Sequence, residues 1–183
     1  MPILYHVSDQ PGIKRFDPRP PPSQSFDLDG EMVWAIDERL IHNYLLPRDC
    51  PRVTFYAGPN TFPADVDRFL AGSSARHVVA IETNWLEKLR NEKVHLYSFR
   101  NESFKTLDDC AGYYISREPV VPFKEECVDD MLGALVARDI ELRIMPSLWP
   151  LRDLVIETSL QFSVIRWRNA QPPPEGYTPR RRP

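Results

Sequence analysis

The chain has 183 residues, a formal net charge of −3, and 42% hydrophobic and 27% charged residues. That balance is ordinary for a globular protein and argues against whole-domain binding to nucleic acid, which usually leaves a basic surface. No apolar run reaches the ~18 residues of a membrane-spanning helix, and the opening MPILYHVSDQ lacks the basic segment and apolar stretch of a secretory signal.

Three cysteines, Cys50, Cys110 and Cys127, are odd in number and widely spaced, with no CxxC pair. The pattern argues against a zinc site or a disulfide framework. No metal is therefore expected, and the cysteines read as small buried hydrophobes in a reducing, cytoplasmic setting. The 19 prolines predict frequent turns and few long helices.

Ile3 to Ser8 reads as a strand with Leu4, His6 and Ser8 on one face and Tyr5 and Val7 on the other. Pro11-Gly12 marks a turn. From Lys14 to Ser25 the prolines favour an extended loop that carries Lys14, Arg15 and Arg19. Met32 to Ile36 is a second strand, and Asp37 caps a following helix with Leu40, Ile41, Tyr44 and Leu45 as its apolar stripe. His42 lies off that stripe and is expected to be exposed.

Strands follow at Val53 to Ala57, His77 to Ile81, Val94 to Phe99 and Tyr113 to Ser116. Short helices are expected over Ala64 to Leu70 and Trp85 to Asn91, and Asn101 to Asp109 reads as loop. Glu125 to Arg138 is the longest helical pattern, with acids in its first turn and Arg138 in its last. A strand over Leu142 to Met145, a helix from Leu148 and a last strand from Phe162 to Trp167 complete the order. The mixture predicts an α+β fold with a mixed, largely antiparallel sheet flanked by short helices. Residues 1–170 read as one globular domain and residues 171–183 as a flexible tail rich in Pro and Arg.

Chemistry has few places to sit. No Gly-rich phosphate loop, GxSxG elbow or HExxH helix occurs. His6 is the leading candidate, because an imidazole near neutral pH can hold a ribose hydroxyl or move a proton. Ser8 shares its face, and Arg15 and Arg19 in the next loop suit phosphate or carboxylate. Tyr44 can stack on a flat ring or pack in the core. Glu118, stiffened by Pro119, can act as a base or stand solvated in a turn. Arg166 and Arg168 flank Trp167, and strand alternation gives both one face, as an anion site or as a charged edge.

LYHVSD, PRDCPRVTFY and FSVIRWRNA resemble a small bacterial family of unknown function across almost the whole chain. LYHVSD is also similar to the first motif of the ADP-ribosyltransferase-like superfamily, including its PARP-like and RNA 2′-phosphotransferase branches. The resemblance implies a split sheet, NAD as cofactor, and a strand histidine, His6, on the nicotinamide ribose. VWAIDERLIHNY resembles the second motif, which gives Tyr44 the nicotinamide ring to stack on. In the third motif GYYIS stands where the family reads G-E-Y, so Tyr113 or Tyr114 takes the acid's place and Glu118 is displaced. Three readings follow: a transferase, with Arg15 or Arg19 on phosphate and Glu118 polarising a hydroxyl; a non-catalytic nucleotide- or anion-binding module; and an RNA-modifying enzyme using Arg15, Arg19, Arg166 and Arg168.

Overall fold

The strand read from Ile3 to Ser8 forms over those residues. A computed structural model describes residues 3–21 and 29–180. Residues 22–28 of the proline-rich loop, and Arg181 and Arg182 of the tail, lie outside the described residues. In chain order the elements are β1 (Ile3–Ser8), β2 (Val33–Asp37), β3 (Arg52–Tyr56), α1 (Pro63–Leu70), β4 (His77–Glu82), α2 (Leu86–Asn91), β5 (Val94–Arg100), β6 (Lys105–Asp108), β7 (Tyr113–Ser116), β8 (Lys124–Val128), α3 (Met131–Val136), β9 (Ile140–Met145), α4 (Trp149–Val155) and β10 (Gln161–Ile165). The expected α+β class, with mixed, largely antiparallel pairing and short helices, is what the chain adopts, with its strands in two sheets.

The chain divides into two compact units, Met1–Leu45 with Lys93–Asp129, and Leu46–Glu92 with Asp130–Pro183. The first holds an antiparallel sheet in the order β6-β7-β2-β1-β5-β8, so β1 is paired on both sides. Register puts Leu4 opposite Phe99, His6 opposite Tyr97 and Ser8 opposite His95. Leu4, Val33, Ala35, Tyr97 and Phe99 build the core on that face, with Phe16 packed against it. Burying Leu4, Val33 or Phe99 contributes roughly 1.5–3 kcal/mol each through area removed from water.

The second unit holds the sheet β10-β3-β4-β9, antiparallel except for the parallel β4–β9 pair. Val53, Phe55, Val78 and Ala80 pack against Phe69 and Leu70 of α1 and Leu151 and Val155 of α4.

Three local expectations change. Glu125 to Val128 belongs to strand β8 and not to a helix; the helix starts only at Met131, where the Asp130 carboxylate accepts the Gly133 N–H at 2.8 Å. The acids that resemble a helix's first turn are instead charges on an outer strand, where they discourage edge-to-edge pairing. Lys105–Asp108, read as loop, is the opposite outer strand. After β2, Asp37 does cap, accepting the Leu40 N–H at 3.1 Å, but what it caps is a 3-10 helix over Glu38–Asn43. The tighter winding buries His42, which is 2% exposed.

Candidate functional site

The central strand β1 fixes where His6 can act. Its side chain lies on the core face, half-buried, with the Phe16 ring 4.9 Å away. Phe16 also meets Tyr97 and Phe99 edge-on at 5.1 and 5.2 Å, and its backbone pairs with Val120. The loop after β1 is therefore laid over the face that carries His6. The His6 Nδ1 lies 2.9 Å from the Trp34 carbonyl oxygen, a bond to the neighbouring strand.

Tyr44 belongs to the other face. It closes the 3-10 helix as its C-cap, and its hydroxyl is 2.7 Å from the Tyr113 hydroxyl. Tyr113 pairs with Ile36 and meets the Trp34 ring edge-on at 5.9 Å. Paired residues share a face, and successive residues alternate. Trp34, Ile36 and Tyr113 thus oppose Val33, Ala35 and His6. The histidine and the tyrosine stand on opposite faces of one sheet, joined through β2: His6 grips the Trp34 backbone, and the Trp34 ring touches the tyrosine pair.

The glycine before Tyr113 has its own reason. Gly112 sits at φ +66°, and a Cβ there would fall 2.7 Å from Asp37 Oδ1. The Gly112 carbonyl accepts the Asp37 N–H at 3.0 Å. Only glycine lets the chain enter β7 so close to the Asp37 cap.

The remaining sequence candidates disperse. Ser8 is buried, and its Oγ accepts the Gln10 N–H at 3.1 Å, closing the turn after β1. Arg15 is exposed and pairs with Asp17 at 2.7 Å. Arg19 is exposed, while its backbone exchanges two hydrogen bonds with Met32. Glu118 is exposed in the turn after β7; its N–H donates to Ser116 Oγ at 3.1 Å and its carbonyl accepts that hydroxyl at 2.9 Å.

Arg166 and Arg168 belong to the second unit and do not share a strand face. The strand ends at Ile165, Arg166 turns left-handed at φ 54°, and a 3-10 turn over Trp167–Asn169 follows. Arg166 Nε donates to the Arg48 carbonyl at 3.2 Å, and Asn169 donates to the Asp49 carbonyl at 2.7 Å. These side chains fasten the loop before β3.

One polar cluster was not singled out from the sequence. On the His6 face, Glu125 accepts the Gly12 N–H at 2.9 Å and lies 3.1 Å from His95 Nδ1. Tyr97, fully buried, donates to the Gln10 carbonyl at 2.7 Å and accepts the Ile13 N–H at 3.1 Å. The Gly12 amide, with Tyr97 and His95 behind it, outweighs burial and holds the Glu125 carboxyl below its ordinary range. Burial lifts the Tyr97 phenol. This latch pins the loop over His6. Alternation of His95 and Tyr97 along β5 was the available signal; reading Glu125 as helical hid its partner.

No group of three or more His, Cys, Asp or Glu side chains arranged to hold a metal occurs among the described residues. None of the described helices is long and apolar enough to cross a membrane. A shallow groove of about 480 Å³ in the second unit, lined by Gly72, Ser74, Asp139 and Glu141 among others, contains none of the residues chosen from sequence.

Residues 5–170 match the model of a family of unknown function, DUF6886. The chain belongs to that family. The DUF6886 match runs from within β1 to the end of the last 3-10 turn, so it takes in His6, Tyr44, Tyr113 and the Glu125 latch. Residues 171–180 lie beyond the DUF6886 stretch. No curated protein and no solved structure matched the chain.

Proposed function

We propose that the first unit binds NAD or a related ADP-ribosyl ligand and does not cleave it, as a non-catalytic relative of ADP-ribosyltransferase-like domains. The observation that carries this reading is the Tyr44–Tyr113 hydroxyl contact beside Trp34. The three segments that resemble the superfamily's motifs fall on or next to three adjacent strands, β1, β2 and β7. Where the resemblance to the third motif would bring an acid, the chain has Tyr113 and Tyr114, and Tyr113 is the one that meets Tyr44.

The chemistry follows from that exchange. Departure of nicotinamide builds positive charge on the ribose, and a carboxylate on the ribose hydroxyl stabilises it. A tyrosine hydroxyl is not a carboxylate and offers a neutral O–H in its place. Glu118 is exposed in the turn that follows β7, at the other end of that strand from Tyr113. Tyr44, Tyr113 and Trp34 are each half-buried and offer ring faces and edges to a flat heterocycle. His6 acts at one remove, by fixing the Trp34 carbonyl. Arg15 and Arg19 belong to the loop over the other face and have no part here.

Equilibrium dialysis with labelled NAD, followed by chromatography of the retained ligand, tests the reading. The expected result is saturable retention of intact NAD. Release of nicotinamide would replace the module with a transferase, and no retention at millimolar NAD would remove the ligand altogether.

A further inference from the structure

A carboxylate taken out of water must recover its hydrogen bonds inside the protein. In the second unit Glu82 and Asp153 are both 0% exposed. Each has one partner nearby, the Leu148 N–H for Glu82 and the Arg152 guanidinium for Asp153, and takes the rest from one segment. Gln171 N–H lies 3.0 and 3.2 Å from the two oxygens of Glu82. Asp153 accepts the Arg180 N–H at 2.7 Å and the Tyr177 hydroxyl at 2.8 Å, beside Arg152 at 2.5 Å. Residues 171–180 are thus gripped at each end by a buried acid, yet most of their own side chains are exposed.

Between the grips runs Pro172-Pro173-Pro174. The Trp149 indole donates to the Gln171 carbonyl, just before the run, at 2.8 Å. Trp149 and Trp167 meet edge-on at 4.8 Å, and the Arg152 guanidinium lies over both rings at 5.8 and 5.5 Å. At the far end Glu157 pairs with the Arg180 side chain. Prolines have no N–H, so their segments are read through carbonyls, by indole donors and aromatic walls, with acids placed for a basic flank. This surface has each of those parts.

We propose that the α4 face of the second unit is a recognition surface for proline-rich peptides. Its ligand is a proline run with tyrosine and arginine after it at the spacing of Pro172–Pro174, Tyr177 and Arg180. Residues 171–180 are its occupant in cis. A partner segment of the same chemistry takes their place in trans, because the strap is held by polar contacts at its ends and Pro172, Pro173 and Pro174 are exposed. The proposal is independent of NAD and of the first unit.

The test uses the full chain and a fluorescein-labelled peptide of residues 171–183, followed by anisotropy. In the unaltered chain the strap competes at an effective concentration in the millimolar range. Tyr177→Phe with Arg180→Ala loosens the strap and leaves the surface whole. The peptide is expected to bind this variant at least about tenfold more tightly than the unaltered chain. Adding Trp149→Phe, which keeps a ring and removes the indole donor, is expected to reverse the gain. Circular dichroism confirms that each variant is folded, and Tyr177→Phe alone serves if the double variant is not. Absence of binding to a folded, loosened variant overturns the proposal, as does equal affinity for loosened and unaltered chains.

Discussion

The Tyr44 and Tyr113 hydroxyls meet at 2.7 Å, 69 residues apart in sequence, on the face of the sheet that His6 does not occupy. One residue comes from the segment resembling a superfamily's second motif. The other opens β7, beside Tyr114. Their contact ties the end of a 3-10 helix to the start of β7.

That bond is measurable. Tyr44→Phe and Tyr113→Phe each keep the ring and remove one partner. A double-mutant cycle on unfolding free energy is expected to give a coupling of about 0.5–1.5 kcal/mol, the usual net value of a hydrogen bond. Additive single effects would mean that the hydroxyls do not engage.

Gly112→Ala tests the entry to β7. A left-handed non-glycine residue costs on the order of 1–3 kcal/mol, and the new Cβ meets Asp37 at 2.7 Å. A fall in melting temperature is the expected outcome. Gly72→Ala is the control: φ there is +77° with nothing within 4 Å, so it carries strain without the clash and is expected to cost less.

The latch over His6 sets a pH dependence. The folded Glu125 carboxyl titrates below its ordinary value of 4.5 because the Gly12 amide favours the charged form. A depressed folded pKa contributes stability above the unfolded value and loses it as pH falls through the folded one. Melting temperature should therefore drop as pH is lowered below 4.5, and drop less in Glu125→Gln. Parallel curves would show that the contact contributes nothing.

Thiol chemistry separates the three cysteines. Cys50 is fully buried, and burial pushes its thiol up to about 12. Cys110 and Cys127 are exposed. The thiolate is the reacting form. A maleimide at neutral pH is expected to label two sites quickly and Cys50 only after denaturation. Early labelling of Cys50, read by peptide mass spectrometry, would contradict the burial.

Alternation carried much of the fold. β1 and β7 form over the residues read for them, and β4 and β5 each run one residue further. The outer strands β6 and β8 were hidden because their sequences, KTLD and KEECV, carry the charge that suits an edge and lack the apolar alternation of a half-buried strand. Which face each site residue occupies was harder. His6 and its face-mates could be read from period two alone, but the side on which Tyr44 lands depends on the pairing of Ile36 with Tyr113. The left-handed Arg166 broke the alternation that would have joined it to Arg168, and nothing local marks it. Residues 171–180 have no apolar periodicity, because the groups that hold them are polar and distant in sequence: Glu82, Asp153, Glu157 and the Trp149 indole.

Calorimetric titration of NAD into the unaltered chain and into Tyr44→Ala bears most directly on the aromatic site. Saturable binding by the unaltered chain and at least about tenfold weaker binding by the variant are expected, with the variant folded by circular dichroism. Equal affinities, or no heat of binding at millimolar NAD, would contradict it.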